Sequence, residues 1–360
     1  MTRPLIALLG RKDTPTDAVE EYCKYLGHSL NEHDFDLQIR RVPWEKHGWQ
    51  DALHALELQA AGWKGTWVLV QYTALAWSAR GFPLRFRKVL KILRRAGARV
   101  AIVFHDVLPF SSSRIIDQCR QQVQKRIMLQ ALNSADLAIF TVPPEKLSWV
   151  ASIPNKAAFI PVGPNLPIPE IIDPAGLKEI LTVGVFSITG GDAGSRETQT
   201  ILDVVRDAVQ RVGKIRLLVF GRHAELREQD LRCGLQAHPV DLTVEGVLSD
   251  QEVVKRFRAC DVMLFVRQAI SSRRSSAIAG IACGVPMIAY SGEETAPPIT
   301  DAGVLLVSPS STQELKDGLF RLLSDAELRK QLATLNRSVY QDHFAWSAIA
   351  AKFAVLLNSR

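Results

Sequence analysis

Short apolar and β-branched runs alternate along this chain with longer stretches whose apolar residues recur at helical spacing. In the first half the runs fall at Leu5–Leu9, Leu37–Val42, Trp67–Gln71, Arg99–Phe104, Leu137–Thr141 and Ala157–Ile160. In the second half they fall at Ile180–Val185, Ile215–Phe220, Leu242–Glu245, Val262–Val266, Met287–Ala289 and Val304–Val307. Helical periodicity fills most of the gaps, for instance Ala18 to Leu30 and Glu197 to Val212. Alternation of strand and helix predicts an α/β fold with parallel, doubly wound sheets covered by helices on both faces. The pattern occurs twice.

Between the two halves, Pro161 to Pro174 holds five prolines. Proline fixes φ and lacks an N–H, so this stretch cannot enter a sheet interior and reads as a stiff linker. The expected organisation is a first domain over 1–165, a linker over 166–176, a second domain over 177–340 and a terminal helix over 341–360. A length of 360 residues fits two cores better than one. Ligands of doubly wound sheets bind beyond the carboxyl ends of the strands, so two such sheets predict a cleft with one ligand from each side.

Composition narrows the class. Hydrophobic residues make up 47% and charged residues 22%, an ordinary globular balance. The five cysteines, Cys23, Cys119, Cys233, Cys260 and Cys283, are widely spaced and contain no C-x-x-C. A disulfide framework is not expected, and a reducing, cytoplasmic setting is. The opening MTRPLIALLG reads as a first strand rather than a signal peptide. The longest nearly uncharged run, Ala277 to Tyr290, is interrupted by glycines and a proline and is too short to span a bilayer.

Charge is uneven. The chain carries +7 overall, but Arg80 to Gln130 holds twelve Lys or Arg against Asp106 and Asp117, a local charge of +10. Within it, PLRFRKVLKILRRAGAR places Phe86, Val89, Leu90 and Leu93 on one helical stripe and Arg85, Arg87, Lys88, Lys91, Arg94 and Arg95 elsewhere. With five of the seven tryptophans between Trp44 and Trp77, this favours peripheral association with an anionic membrane. Nucleic acid is not expected, because no binding motif accompanies the charge.

Candidate chemistry sits at strand ends. P-loop, zinc-protease, nucleophile-elbow and first-strand dinucleotide motifs are absent. His105 and Asp106 follow the strand RVAIVF, where an imidazole can reach a ligand's hydroxyl or phosphate. The turn VGVFSITGGDAGSRE carries Gly190, Gly191 and Gly194 ahead of a helix whose free N–H groups suit a phosphate. In FVRQAISSRRSSAIAGIACGVP, Arg273 and Arg274 stand at a helix amino terminus, where cations oppose the dipole unless an anion lies between.

The second half resembles the "group 1" class of retaining GT-B glycosyltransferases, and the resemblance runs over essentially the whole chain. It is carried by IRLLVFGRHAEL, by VEGVLSDQEVVKRFRACDVMLFV continuing into IACGVPMIAY, and by FAWSAIAAKFAVLL near the terminus. In the first half, FHD at Phe104 to Asp106 and IPVGPN at Ile160 to Asn165 match that class. The resemblance implies the GT-B fold: two Rossmann-like doubly wound domains facing a cleft, with a C-terminal helix crossing back to the first.

Its departures are specific. The Glu-x7-Glu donor motif falls on Ser271 and Ala279 here, and the Arg and Lys that grip the donor diphosphate are missing near Val185 and Gly190. The loop ISSRRSS and the Asp13 to Tyr22 pattern resemble a divergent subgroup that lacks that motif.

What the resemblance implies is metal-independent transfer of a sugar from a nucleotide-diphosphate donor to a glycan or lipid-linked acceptor, with retention and no cofactor. His105 and Asp106 would act at the transferred sugar. Gly184, Gly190, Gly191, Arg196, Gly221, Arg222, Ser271, Ser272, Arg273, Arg274, Ser275 and Ser276 would hold the donor, and Asp13, Thr16, Asp17 and Tyr72 the acceptor. The rival expectation, set by the missing carboxylates, is a non-catalytic GT-B protein that binds a partner or a membrane.

Overall fold

The structure is a computed structural model that describes residues 2–14, 16–110, 112, 114–169 and 179–359. It divides into two compact units, Met1–Val162 with Trp346–Arg360, and Gly163–Ala345. Of the expected linker, residues 170–176 lie outside the described residues, and 166–169 hold neither strand nor helix.

The first unit is a six-stranded sheet in the order β2-β1-β3-β4-β5-β6, every neighbouring pair parallel. Its strands are β1 (Arg3–Leu9), β2 (Phe35–Arg41), β3 (Trp67–Tyr72), β4 (Arg99–Phe104), β5 (Leu137–Phe140) and β6 (Ala157–Phe159). Four helices connect them: α1 (Ala18–Leu30), α2 (Trp44–Ala60), α3 (Phe86–Arg95) and α4 (Ile115–Ser134). All six residues of β3 are buried, which is why WVLVQY reads as an unbroken apolar run rather than an alternation. Above it Tyr72, Phe86, Phe104 and Phe140 pack ring on ring at 4.8–5.4 Å.

The tryptophans correct one expectation. Trp44, Trp67 and Trp77 are buried, and Trp49 and Trp63 pack against the core that holds Trp44 and Trp77. The indole N–H groups of Trp44 and Trp77 donate to the carbonyls of Ala76 and Gln71. These rings fill the interior and form no surface belt.

The second unit repeats the design in the order β12-β11-β10-β7-β8-β9, again all parallel. Its strands are β7 (Thr182–Phe186), β8 (Ile215–Phe220), β9 (Val240–Glu245), β10 (Val262–Phe265), β11 (Met287–Tyr290) and β12 (Val304–Val307). Its helices are α5 (Gly191–Val212), α6 (Glu228–Leu235), α7 (Asp250–Ala259), α8 (Ser275–Ala282), α9 (Thr312–Ser324) and α10 (Ala326–Val339). The helix expected from Glu197 starts at Gly191 instead. Gly194 is therefore inside α5, where an added Cβ would lie 1.8 Å from the Thr189 carbonyl oxygen.

The last helix, α11 (Trp346–Asn358), belongs to the first unit. Trp346 stacks on Tyr25 at 5.6 Å and meets Tyr22 edge-on at 5.3 Å, while the Trp67 indole donates to the Leu357 carbonyl. The chain thus has the GT-B architecture of two Rossmann-like units with a returning terminal helix. Among the described residues no helix is long and apolar enough to cross a membrane. Each sheet reverses its winding once, between β1 and β3 and between β7 and β10. Carboxyl ends at such reversals form the ligand crevices of doubly wound sheets.

Candidate functional site

At the β1/β3 reversal of the first unit lies a cavity of about 220 Å³, walled by Gly10, Arg11, Asp13, Asp17, Thr73 and Asp106 among others. Gly10 leaves β1 so close to the loop after β3 that a Cβ would sit 2.1 Å from the Ala76 carbonyl oxygen. That same oxygen accepts the Arg11 N–H at 2.9 Å. Only glycine permits the approach.

The acidic wall is partly committed to structure. One oxygen of Asp17 caps α1 by accepting from Val19 and Glu20 N–H, and the other accepts from Arg41 and from the Asp13 N–H. Arg41 also pairs with Glu20 at 2.6 Å and donates to the Gly10 carbonyl. Asp106 accepts the Ala74 N–H at 2.7 Å, which clasps the loop after β3. Asp13 and Thr16 are exposed.

His105 stands beside this cavity at the end of β4. Its Nε2 lies 2.8 Å from Gln71 Oε1, while Gln71 Nε2 donates to the Leu69 carbonyl at 3.2 Å. With its own N–H group used on that carbonyl, Gln71 offers an acceptor, so His105 Nε2 carries the proton. Tyr22 meets the imidazole edge-on at 4.9 Å, its buried hydroxyl without a hydrogen-bond partner. Burial pushes that phenol well above its ordinary range. Tyr72 is a correction: it is fully buried between Phe86 and Phe104, a core residue that cannot touch an acceptor there.

Among the described residues of the second unit three non-glycine residues adopt left-handed backbone, Ser187, His223 and Gln268, with φ of 61°, 62° and 57°. They follow β7, β8 and β10, the three adjacent strands at the reversal point. Such strain, about 1–3 kcal/mol each, gathers where a ligand site dictates the backbone. The Ser187 hydroxyl accepts the Arg222 N–H at 3.2 Å, and the Ile188 N–H donates to the Arg222 carbonyl. Gly221 has φ of 95°, and a Cβ there would lie 2.6 Å from Ser187 Oγ.

Arg267, between Phe265 and Gln268, was not singled out from sequence. Burial lowers its guanidinium's pKa, the Glu197 carboxylate opposes that shift, and the Arg222 guanidinium adds to it. Arg267 is thus a partly desolvated cation that feels the Glu197 carboxylate more strongly than the Arg222 guanidinium. Gly190 caps α5 beside the His223 ring, 3.5 Å from Nε2 to an ideal Cβ, and Gly191 follows with φ of 64°. Arg196 is exposed on the first turns of α5.

The arginine loop before α8 resolves its dipole conflict internally. Arg273 forms a two-pronged pair with Glu294, at 2.6 and 2.8 Å, and the buried Ser271 hydroxyl donates to the same carboxylate at 3.0 Å. Glu294 thus supplies the expected anion, and at the Ser271 position where the resemblance places a carboxylate. Arg274 instead donates to Gln268 Oε1 at 2.5 Å, joining the strained residue after β10. Ser272 is buried; Ser275 and Ser276 are half-buried in the first turn of α8, which no side chain caps. Gly184 is a second correction: it lies within β7, where a Cβ would sit 2.4 Å from Cys260 Sγ and 2.5 Å from Met263 Sδ. It serves close packing of the sheet against Cys260 and Met263.

Compared by sequence, the chain matches no family model and no curated protein. By structure it is similar to many solved proteins over nearly its whole length. Anabaena HepE, solved with UDP and glucose, is 14% identical with a TM-score of 0.68, covering 99% of this chain and 100% of that one. The sucrose-phosphate synthase of Thermosynechococcus elongatus is 18% identical with a TM-score of 0.69, covering 99% and 98%. A glycosyltransferase from Rickettsia africae is 13% identical with a TM-score of 0.68, also covering 99% and 98%.

Proposed function

We propose that the chain is a glycosyltransferase that moves a sugar from a nucleotide-diphosphate donor to a polar or lipid-linked acceptor, on the cytoplasmic side and with retention. The observation that carries this reading is the left-handed backbone of Ser187, His223 and Gln268 after the adjacent strands β7, β8 and β10, with Ser187 bonded to the Arg222 backbone and Gln268 to the Arg274 guanidinium. A diphosphate suits that arrangement, since it accepts charge-assisted bonds from guanidinium groups and from N–H groups opening α5 and α8. HepE, with UDP and glucose bound, supports the donor class.

The acceptor belongs in the first-unit cavity beside His105. Its oxygen forms the new bond to the anomeric carbon as the bond to the diphosphate breaks, and its proton passes to the departing phosphate oxygen. His105 holds the sugar by hydrogen bonding. Arginines and helix N-termini stabilise the growing charge on the leaving group, so the step needs no metal.

Incubation with a panel of nucleotide sugars, following free nucleoside diphosphate, tests the activity. One donor should release diphosphate above the uncatalysed rate, slowly to water and faster with a glycan or polyprenyl-phosphate acceptor mixture. Absence of release with every donor would favour a non-catalytic binding protein, the reading that the Arg273–Glu294 pair also suits.

A further inference from the structure

We propose that the face built by α3 and the first half of α4 docks on an anionic lipid bilayer, by charge along α3 and by apolar insertion at one end. On α3, Arg87, Lys88, Lys91, Arg94 and Arg95 are exposed, whereas Phe86, Val89, Leu90, Ile92 and Leu93 are buried. At a helix's angular spacing the five cations share an arc of roughly 120°. Four of them, Arg87, Lys91, Arg94 and Arg95, line a groove of about 520 Å³ together with Gln130 and Ser134 of α4. Arg94 donates to the Ser134 carbonyl, which fixes the two helices side by side.

Both helices start at the carboxyl end of the sheet, and large apolar side chains are exposed there. Ile115 is 80% exposed, Leu84 56%, Ile116 55% and Phe110 50%. Phe110 is tied to the loop that leads into α3. Arg120 donates to the Arg80 carbonyl and its guanidinium lies over the rings of Phe82 and Phe110 at 5.4 and 5.3 Å. Gln124 bridges the Phe110 N–H to the Gly81 carbonyl. Four exposed apolar side chains in such a surface mark an interaction site, and flanking cations select its partner.

Charge complementarity points to a bilayer with anionic headgroups. Nucleic acid would use the cations but leave Ile115, Ile116 and Leu84 in water, and among the described residues Phe110 is the one aromatic ring exposed there. Vesicle binding is read without donor or turnover, so failure of this proposal leaves the transferase reading standing.

The test is flotation of the purified chain with vesicles of phosphatidylcholine alone or with 30% phosphatidylglycerol, at about 50 and 500 mM salt. Each cation near an anionic surface strengthens binding about fivefold. Arg87→Glu/Lys88→Glu/Lys91→Glu should therefore weaken binding to the anionic vesicles at least about a hundredfold, and Ile115→Ser/Ile116→Ser should weaken it separately. Both variants change only exposed side chains, and an unchanged melting temperature verifies that each is folded. High salt should release the wild type. Equal binding to neutral and anionic vesicles, undiminished binding by either folded variant, or tighter binding to single-stranded DNA than to vesicles would overturn the proposal.

Discussion

His105 is the residue on which the two halves of the sequence reading converge, a position after a buried strand and a match to the FHD signature. The structure adds what holds it. Gln71 holds Nε2 as a donor and Tyr22 limits ring rotation. His105→Ala should cut turnover by at least about tenfold, near 1.4 kcal/mol, with a smaller change in donor affinity. Gln71→Ala should produce a milder loss, because the imidazole loses its fixed tautomer. Steady-state rates under saturating donor check both, and wild-type turnover in His105→Ala removes the assignment. The arginine loop moves the other way. Arg273 is spoken for by Glu294, so Arg273→Ala should lower stability by about 1–3 kcal/mol through an unpaired carboxylate, read as a fall in melting temperature. Sequence could not show this pair, since twenty-one positions separate its members. Nor could it show Ser187, His223 and Gln268 as strained, because nothing in those side chains announces a left-handed backbone. Arg267 carried no signal beyond its place after a strand.

At the level of elements, the strands were legible and the helix starts less so. Buried parallel strands must be apolar on both faces, so each appears as a compact run, and the structure places a strand at every expected run. Glycine misled the reading of α5, whose first turn begins where a loop was expected, because close packing on Thr189 and φ freedom at Gly191 look alike in sequence. Tryptophan misled in the same manner, since amphipathic rings suit a core and an interface equally. The start of α1 offers a pH test. Hydrogen bonds from Lys24 and Arg41 hold the Glu20 carboxyl below its ordinary value. A depressed acid stabilises the fold above its unfolded value, and that contribution fades as pH falls through the folded value. Wild-type melting temperature should therefore drop more steeply below about pH 4.5 than that of Glu20→Gln, and parallel curves would show that the Arg41 cluster contributes nothing.

For the whole molecule, the repeated alternation of strand and helix foretold two doubly wound sheets, and the terminal helix returns to the first unit as the FAWSAIAAKFAVLL resemblance implied. The proposed donor site was only partly legible, because the carboxylates and basic residues of the resemblance are absent and the cations proposed in their place follow other strands. Cations at the β7/β10 reversal are the central claim, and titration calorimetry with nucleoside diphosphates measures it most directly. Wild type should bind at least one of them, and Arg267→Ala should bind it roughly 10- to 100-fold more weakly, one lost charged hydrogen bond of about 1.5–3 kcal/mol. Arg273→Ala, where folded, should keep most of the wild-type affinity. Equal affinity in wild type and Arg267→Ala, or no binding of any nucleoside diphosphate by the wild type, would contradict the account.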